Sequence, residues 1–196
     1  EIPTIASTAY LEGADPEDIE LLTLNDYTFV LNKNKTVAWT TNTTAALPHQ
    51  ALVVLSLVGT GHYKIFLDGT ERATYNAGTG GDVDAIVGDL VGDIDGNTFG
   101  TTTFNATAVG PVIYISADAA FNISVVGGPS ADAMYVFQNA ISTVSNLPQQ
   151  ARNGYKVKVV NSADIDVDDM WLEFATSSGE QYGVGTWEES IGPGLN

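Results

Sequence analysis

The chain has 196 residues, in which 24 acidic side chains stand against 7 basic ones, for a formal net charge of −17 at pH 7. Binding nucleic acid through its phosphates requires clustered Lys and Arg, so this charge argues against a specific nucleic-acid-binding protein and against attraction to an anionic membrane. The absence of cysteine excludes disulfides and thiolate metal sites, and no apolar run approaches the roughly 20 residues of a membrane-spanning helix, so we expect no membrane insertion.

The first part of the chain has the pattern of β-strands joined by turns. Residues 1–20 are acidic and rich in turn-forming residues. Apolar and polar residues alternate over 27–32, which predicts a hairpin whose return strand is 37–39. The nearly continuous apolar run 52–58 predicts a strand buried on both faces. Asp68-Gly69 then predicts the turn of a second hairpin.

Residues 82–95 carry the clearest helical pattern. Their apolar residues lie at relative positions 0, 3, 4, 7, 8 and 11 and form one helix face: Val83, Ile86, Val87, Leu90, Val91 and Ile94. Gly88 and Gly92 each cost about 1 kcal/mol relative to Ala, and their spacing would let another backbone come close. We therefore expect the helix to depend on tertiary packing.

Beyond the helix the β pattern returns. Short strands are predicted at 98–107, 112–116 and 121–126, and a three-stranded meander at 155–160, 170–175 and 181–188. Between these groups, residues 130–141 predict a short second helix with Ser130 as its N-cap.

These elements predict an α+β fold that is mostly β, with antiparallel sheets, one clear helix at about 82–95 and a short second one. Residues 40–48 and 147–154 have linker composition. We therefore predict that the outer segments, 1–46 and 149–196, pack together and that 47–148 is an inserted α+β block. The Gly192-Pro193-Gly194 stretch resembles a linker, and we expect the chain to be a piece of a longer protein.

The two histidines lie outside any catalytic or metal-binding motif. His49 follows Pro48 in a linker, and His62 follows a turn. A Ser-His-Asp triad needs a base held by an acid and touching a nucleophile, and the chain has no G-x-S-x-G and no H-E-x-x-H. We therefore predict neither a catalytic histidine nor a histidine zinc site.

Two runs of acidic residues raise the question of a cation. Asp93, Asp95 and Asn97 resemble the start of a calcium loop, but the twelfth position is Phe104 where the loop requires Glu. The simpler interpretation is a helix end with turn residues, and a weak cation site is the alternative. The same alternatives, a solvated loop or a loosely bound hard cation, apply to the run containing Asp164, Asp166, Asp168 and Asp169.

Near the end of the chain Trp187 precedes two glutamates, Glu188 and Glu189. Glycoside hydrolysis usually needs two carboxylates about 5–10 Å apart that flank one bond. Neighbours on a strand point to opposite faces, so each glutamate would need a distant partner such as Glu173. The structural interpretation, a strand that completes a sheet, is therefore favoured. We predict no enzyme activity, no catalytic residues, no bound metal and no cofactor.

Three stretches, taken in order, resemble the amino-terminal part of the tail nozzle (tail tubular protein B) family of T7-like short-tailed bacteriophages, which are podoviruses. They are residues 21–39, 146–162 and 170–194. The shared features are a Leu-Pro before a Gly-Tyr-x-Val-x-Val strand, then an aromatic strand and a Trp-x-Glu ending. These stretches cover well under half of the chain, and the central block matches more loosely.

The resemblance implies a structural role in the virion, in the phage tail. Nozzle proteins form a six-membered homo-oligomeric ring below the portal and the tail adaptor protein, extend the channel for DNA ejection and help dock the tail fibre protein. Much of the full-length chain would be a β-propeller with added domains. The acid excess would keep DNA phosphates from sticking if this piece lines the channel; if it faces outward, the charge serves solubility.

Two other functions stay open at the level of sequence. One is a carbohydrate-binding or polysaccharide-degrading tail module, which would present Trp39, Trp171 and Trp187 as exposed aromatic side chains. The other is an adhesion module that holds calcium at the aspartate runs.

Overall fold

The computed structural model describes residues 10–24, 27–36, 45–160 and 170–193. Contacts divide the chain into a first unit, residues 1–42, and a second unit, residues 43–195. In the part of the chain that the structure describes, no helix is long and apolar enough to cross a membrane. The predicted return strand at 37–39 lies outside the described residues.

The first unit contains an antiparallel hairpin. A 3-10 turn at Pro16–Asp18 leads into β1 (Ile19–Leu24), which pairs with β2 (Tyr27–Asn32). The strand at 27–32 was predicted from its alternation, but its partner precedes it in the chain, and sequence analysis missed β1.

The described part of the second unit contains strands and one α-helix. Its elements are β3 (His49–Leu55), β4 (Gly61–Leu67), β5 (Thr70–Ala77), α1 (Val83–Ile94), β6 (Thr98–Phe99), β7 (Thr102–Val109), β8 (Val112–Ala117), β9 (Ile123–Val126), β10 (Met134–Phe137), β11 (Ala140–Ile141), β12 (Gln150–Arg152), β13 (Lys156–Val159), β14 (Met170–Thr176) and β15 (Tyr182–Ser190). The mostly β character with a single α-helix among the described residues confirms the predicted fold class.

A central antiparallel sheet of order β10-β3-β8-β7-β6 organises the second unit. Its strand β3 is buried on both faces, since every residue from Ala51 to Leu55 is at most 6% exposed. This confirms the prediction from the apolar run. Such a strand needs a layer of structure on each side of the sheet, and the unit provides one on each.

On one face of the central sheet, α1 and a three-stranded sheet of order β5-β4-β9 close the first core. Tyr63, Ile65 and Leu67 alternate along β4 and are all buried. The turn between β4 and β5 has Asp68 at φ 49° and Gly69 at φ 76°. These positive φ values match the type I′ hairpin turn that Asp-Gly favours.

The helix forms where its periodicity predicts it. Ile86, Leu90 and Ile94 face the first core and are fully buried. Gly88 and Gly92 face away from the core, and a Cβ placed on either would meet nothing within 4 Å. The close backbone approach suggested by their spacing is therefore absent from this side of α1 among the described residues.

On the opposite face of the central sheet, a second five-stranded sheet closes the second core. Its order is β11-β13-β14-β15-β12, and the pairs β13–β14 and β14–β15 form the predicted antiparallel meander. The core joins residues of β3, β8 and β10 to residues of β12, β13 and β14. The pairing of the outer segments 1–46 and 149–196 stays a prediction.

The predicted second helix at 130–141 is wrong. The segment forms a single 3-10 turn, Ala131–Ala133, and then strands β10 and β11. Met134 and Phe137 are buried, and the pairing of β10 with β3 satisfies the backbone hydrogen bonds through the sheet. Tyr135, Val136 and Phe137 are residue types that favour strands, and the free edge of β3 decides between the two conformations.

Candidate interaction surfaces

The hairpin of β1 and β2 exposes large apolar side chains on both of its faces. Leu22 lies opposite Phe29 on one face, and Leu21 lies opposite Val30 on the other. Their exposed fractions run from 42% for Val30 to 66% for Leu21. We refer to five residues as the hairpin patch: Leu21, Leu22, Phe29, Val30 and Leu31.

Polar contacts hold the base of this hairpin. Asn32 is 1% exposed; its backbone N–H donates to Tyr10 Oη at 3.0 Å, and its side-chain Nδ2 donates to the Tyr10 carbonyl oxygen at 2.7 Å. Lys33 Nζ lies 2.9 Å from Glu20 Oε1. A two-stranded hairpin is marginal in water by itself, and contiguous exposed apolar residues mark interaction sites. The hairpin patch is therefore a candidate protein–protein interface.

Most of the basic side chains are engaged by neighbouring groups. Three lysines form ion pairs: Lys33 with Glu20 at 2.9 Å, Lys64 with Glu71 at 2.7 Å and Lys156 with Glu173 at 3.2 Å. Both arginines lie over aromatic rings: Arg72 over Phe99 at 4.5 Å and Arg152 over Tyr114 at 5.4 Å. Five of the seven basic side chains therefore already contact a carboxylate or an aromatic ring. Little positive charge is available to contact phosphates on this strongly acidic chain.

The carboxylates of Asp93 and Asp95 serve the fold. Asp93 Oδ2 accepts a hydrogen bond from the Thr74 backbone N–H at 3.1 Å, and Asp95 Oδ1 accepts one from the Ala106 backbone N–H at 2.9 Å. Each carboxylate thus ties the end of α1 to a neighbouring strand. The helix-end interpretation explains both residues through these contacts.

The remaining candidate metal ligands do not assemble either. Within the described ranges, no three or more His, Cys, Asp or Glu residues come together in a group that could hold a metal ion. His49 and His62 are exposed and belong to different sheets. The acidic run of Asp164, Asp166, Asp168 and Asp169 lies outside the described residues.

Trp187 belongs to the second core. Its indole Nε1 donates to the Pro148 carbonyl oxygen at 2.8 Å. Its ring meets Phe174 and Tyr155 edge-on, with centroid distances of 5.2 and 6.2 Å. The Trp-Glu-Glu sequence is therefore the end of a packed sheet, as the structural interpretation expects.

The glutamates beside Trp187 point to opposite faces of the sheet. Glu189 lies opposite Leu172, and Glu188 lies opposite Glu173 on the outer face. The structure thus brings together the pair that sequence reasoning named, Glu173 and Glu188. However, Glu173 Oε2 is already held by Lys156 Nζ at 3.2 Å and by Ser190 Oγ at 2.8 Å. Glu173 is thus built into a polar network on an outer sheet face.

Tyr155 is the centre of the aromatic packing in the second core. It is fully buried, and its hydroxyl donates to the Gln138 carbonyl oxygen at 2.5 Å. The rings of Tyr114, Phe137 and Trp187 each meet it edge-on at 6.1 to 6.2 Å. Burial, with a smaller effect of Tyr114, raises the pKa of Tyr155 well above its ordinary value.

The described tryptophans do not form a binding platform. In the register of β14 and β15, Trp187 faces the second core beside Phe174, whereas Trp171 lies opposite Ser190 on the outer face. Trp171 packs against Gly192, where a Cβ would lie 2.5 Å from the indole Nε1. Trp39 lies outside the described residues. Two side chains on opposite faces of one sheet cannot stack on the same sugar chain.

Sequence reasoning missed the hairpin patch. The run Leu21, Leu22 and Leu24 before Tyr27 was available as a signal, because apolar residues at consecutive positions place apolar side chains on both faces of a strand. A hairpin that is apolar on both faces and follows a turn-rich segment is stabilised when other protein surfaces pack against those faces.

Comparison with known proteins identifies one matching family model. No match is found among curated proteins. A family model described as bacteriophage nozzle protein matches residues 2–196, nearly the whole chain. The resemblance on which sequence analysis relied is thereby confirmed at the level of the nozzle family. This chain belongs to the bacteriophage nozzle protein family, and it is a structural component of the virion tail.

Proposed function

We propose that this chain is a subunit of a ring that extends the channel for DNA ejection and contacts the tail adaptor and tail fibre proteins. Membership of the nozzle family supports a place in the tail. The observation that carries the proposal further is the charge: −17 overall, with three lysines in ion pairs and both arginines over rings.

This charge suits a conduit for DNA. Double-stranded DNA carries one negative charge per about 1.7 Å, and every phosphate contact by Lys or Arg adds affinity through counterion release. A wall that bound phosphates would slow a moving duplex. A wall of like charge, with few cations and three of them in ion pairs, leaves the duplex free to slide. The layered second unit provides the rigid part of such a wall.

Solution mass tests the ring. Light scattering on the full-length protein, alone and with its tail adaptor protein, should give a mass of about six subunits in at least one sample. Persistent monomers in both would contradict the proposal. In a parallel filter-binding assay we expect the assembled protein to retain no double-stranded DNA at about 0.1 M salt, where exposed charges still act over roughly 10 Å. Retention of DNA would contradict the conduit.

A polysaccharide-degrading module is the second candidate, favoured by one observation: Glu173 and Glu188 are direct partners across β14 and β15. A retaining glycosidase holds its carboxyl groups about 5 Å apart. Lys156 Nζ lies 3.2 Å from Glu173 Oε2, which places a cation beside this pair of carboxylates. Release of reducing sugars from host polysaccharide by the wild type, lost in E188Q and kept in E189Q, would establish this function.

A further inference from the structure

We infer that the hairpin patch docks on a neighbouring copy of this chain. The inference rests on the proposed ring, and it names the surface through which the subunits of that ring meet. It is carried by the exposure of the patch, its two-sidedness and its electrical neutrality.

The patch has two apolar faces, and a single flat partner covers only one. Leu22 and Phe29 are 57% and 59% exposed on one face, and Leu21 is 66% exposed on the other. In a closed ring with head-to-tail contacts, every subunit has two neighbours. A hairpin inserted at such a contact is enclosed by protein on both faces, which an attachment to one flat surface does not achieve.

The charge of the hairpin favours a partner that is itself acidic. Strands β1 and β2 contain one charged residue, Glu20, and its carboxylate is paired with Lys33. Two copies of a chain of net charge −17 repel each other over most of their surfaces. A neutral apolar patch is the place where they can meet without bringing like charges together. A basic partner, in contrast, would be drawn to the acidic surface elsewhere.

The size of the hairpin sets its share of the contact. An interface of standard size uses about 20–30 residues a side, and the two strands supply 6 residues each. The patch therefore forms the apolar centre of the contact, and polar residues around it form the rim.

Substitution in the patch tests the inference on the full-length protein. We expect L22S/F29S to weaken self-association, followed by light scattering over a dilution series, by more than about tenfold, as for residues at an interface centre. The matched control is V144S/V184S, which changes two exposed apolar residues of the second unit, 48% and 57% exposed. Near-ultraviolet circular dichroism verifies that the second unit keeps its packing. Unchanged assembly of L22S/F29S, or equal weakening in the control, would overturn the inference.

Salt distinguishes the kind of partner. Raising the salt from about 0.1 to 1 M shortens the screening length from roughly 10 to 3 Å. Self-association through a neutral apolar patch between acidic copies should tighten at high salt, because repulsion is screened while the apolar contact remains. Self-association that weakens with salt would contradict docking at this patch.

Crosslinking identifies the occupant directly. A photoreactive phenylalanine analogue replaces Phe29 in the full-length protein, and copies with light and heavy nitrogen are mixed before irradiation. Crosslinked peptides that combine light and heavy chains would establish a second copy; the same probe in place of Val144 should give none. Crosslinks within one chain only, or in phage particles to the adaptor alone, would overturn the inference. A ring that forms despite such a result leaves the proposed function standing, whereas a monomeric wild type removes the proposed function itself.

Discussion

Trp187 and Pro148 are joined by a hydrogen bond from the indole Nε1 to the proline carbonyl oxygen, at 2.8 Å. The contact ties β15 to the segment that leads into β12. Two residues earlier in β15, the Gly185 backbone N–H donates to the Gln149 carbonyl oxygen at 3.0 Å. The Gly-Thr-Trp sequence thus closes the edge of the second sheet.

A graded loss of stability should follow from changing Trp187. W187F keeps an aromatic ring beside Phe174 but leaves the Pro148 carbonyl oxygen, buried in the fold, without its donor, which should cost about 1–3 kcal/mol. W187A also removes the ring and should cost about 3–5 kcal/mol. Urea denaturation, followed by far-ultraviolet circular dichroism, measures both. Equal losses in the two variants would show that the ring contributes little beyond the hydrogen bond.

Two Gly→Ala changes should have opposite effects. A Cβ on Gly185 would lie 2.0 Å from the Ala175 carbonyl oxygen, a backbone atom, so G185A must shift the β14–β15 pair and should cost about 1–3 kcal/mol. A Cβ on Gly92 meets nothing within 4 Å on the exposed side of α1, so G92A should stabilise by up to about 1 kcal/mol. Thermal unfolding of both variants gives the comparison. A stabilised G185A would contradict the close approach.

Elements specified by neighbouring residues could be predicted from the sequence. Apolar residues spaced three and four apart predict the buried face of α1. The turn at Asp68-Gly69 follows from a dipeptide that tolerates positive φ. The apolar run of β3 indicated burial on both faces. In each case the determining information lies within about a dozen residues of chain.

Elements that depend on partners distant in the sequence could not be predicted from the sequence. Met134 pairs with Leu55, a residue far away in sequence, and only that pairing makes the segment a strand. The hairpin patch was missed for a related reason. The exposure of a side chain depends on which other residues pack against it, and a strand pattern alone does not identify those residues. The inward direction of Trp187, which is partly buried against the second core, could be predicted from strand alternation. Its hydrogen bond to Pro148 could not, because that bond depends on the folded path of the chain.

Stability should fall at high pH because of Tyr155. Since burial raises its pKa in the folded protein, the folded state keeps the phenol proton where the unfolded chain, with a pKa of about 10, releases it. The stabilisation is therefore complete below pH of about 10 and is lost as the pH rises above it. Y155F, which also loses the hydrogen bond to Gln138 and about 1 kcal/mol at neutral pH, should show a flatter decline. Urea unfolding between pH 8 and 11, with Y75F as control at a partly exposed tyrosine, measures it; equal slopes in Y155F and wild type would contradict this assignment.

Asp95 should stabilise the fold as a hydrogen-bond acceptor for a backbone group. Its Oδ1 accepts from the Ala106 N–H at 2.9 Å, and an amide oxygen can take the same place. D95N should therefore lose little, whereas D95A should lose about 1–2 kcal/mol because the β7 N–H is left without that acceptor. A cation that bound selectively to the folded state would raise the melting temperature. We expect millimolar calcium to raise the melting temperatures of wild type and D95N by equal amounts or not at all. A calcium-dependent rise in the wild type that disappears in D95N would instead place a cation on this carboxylate.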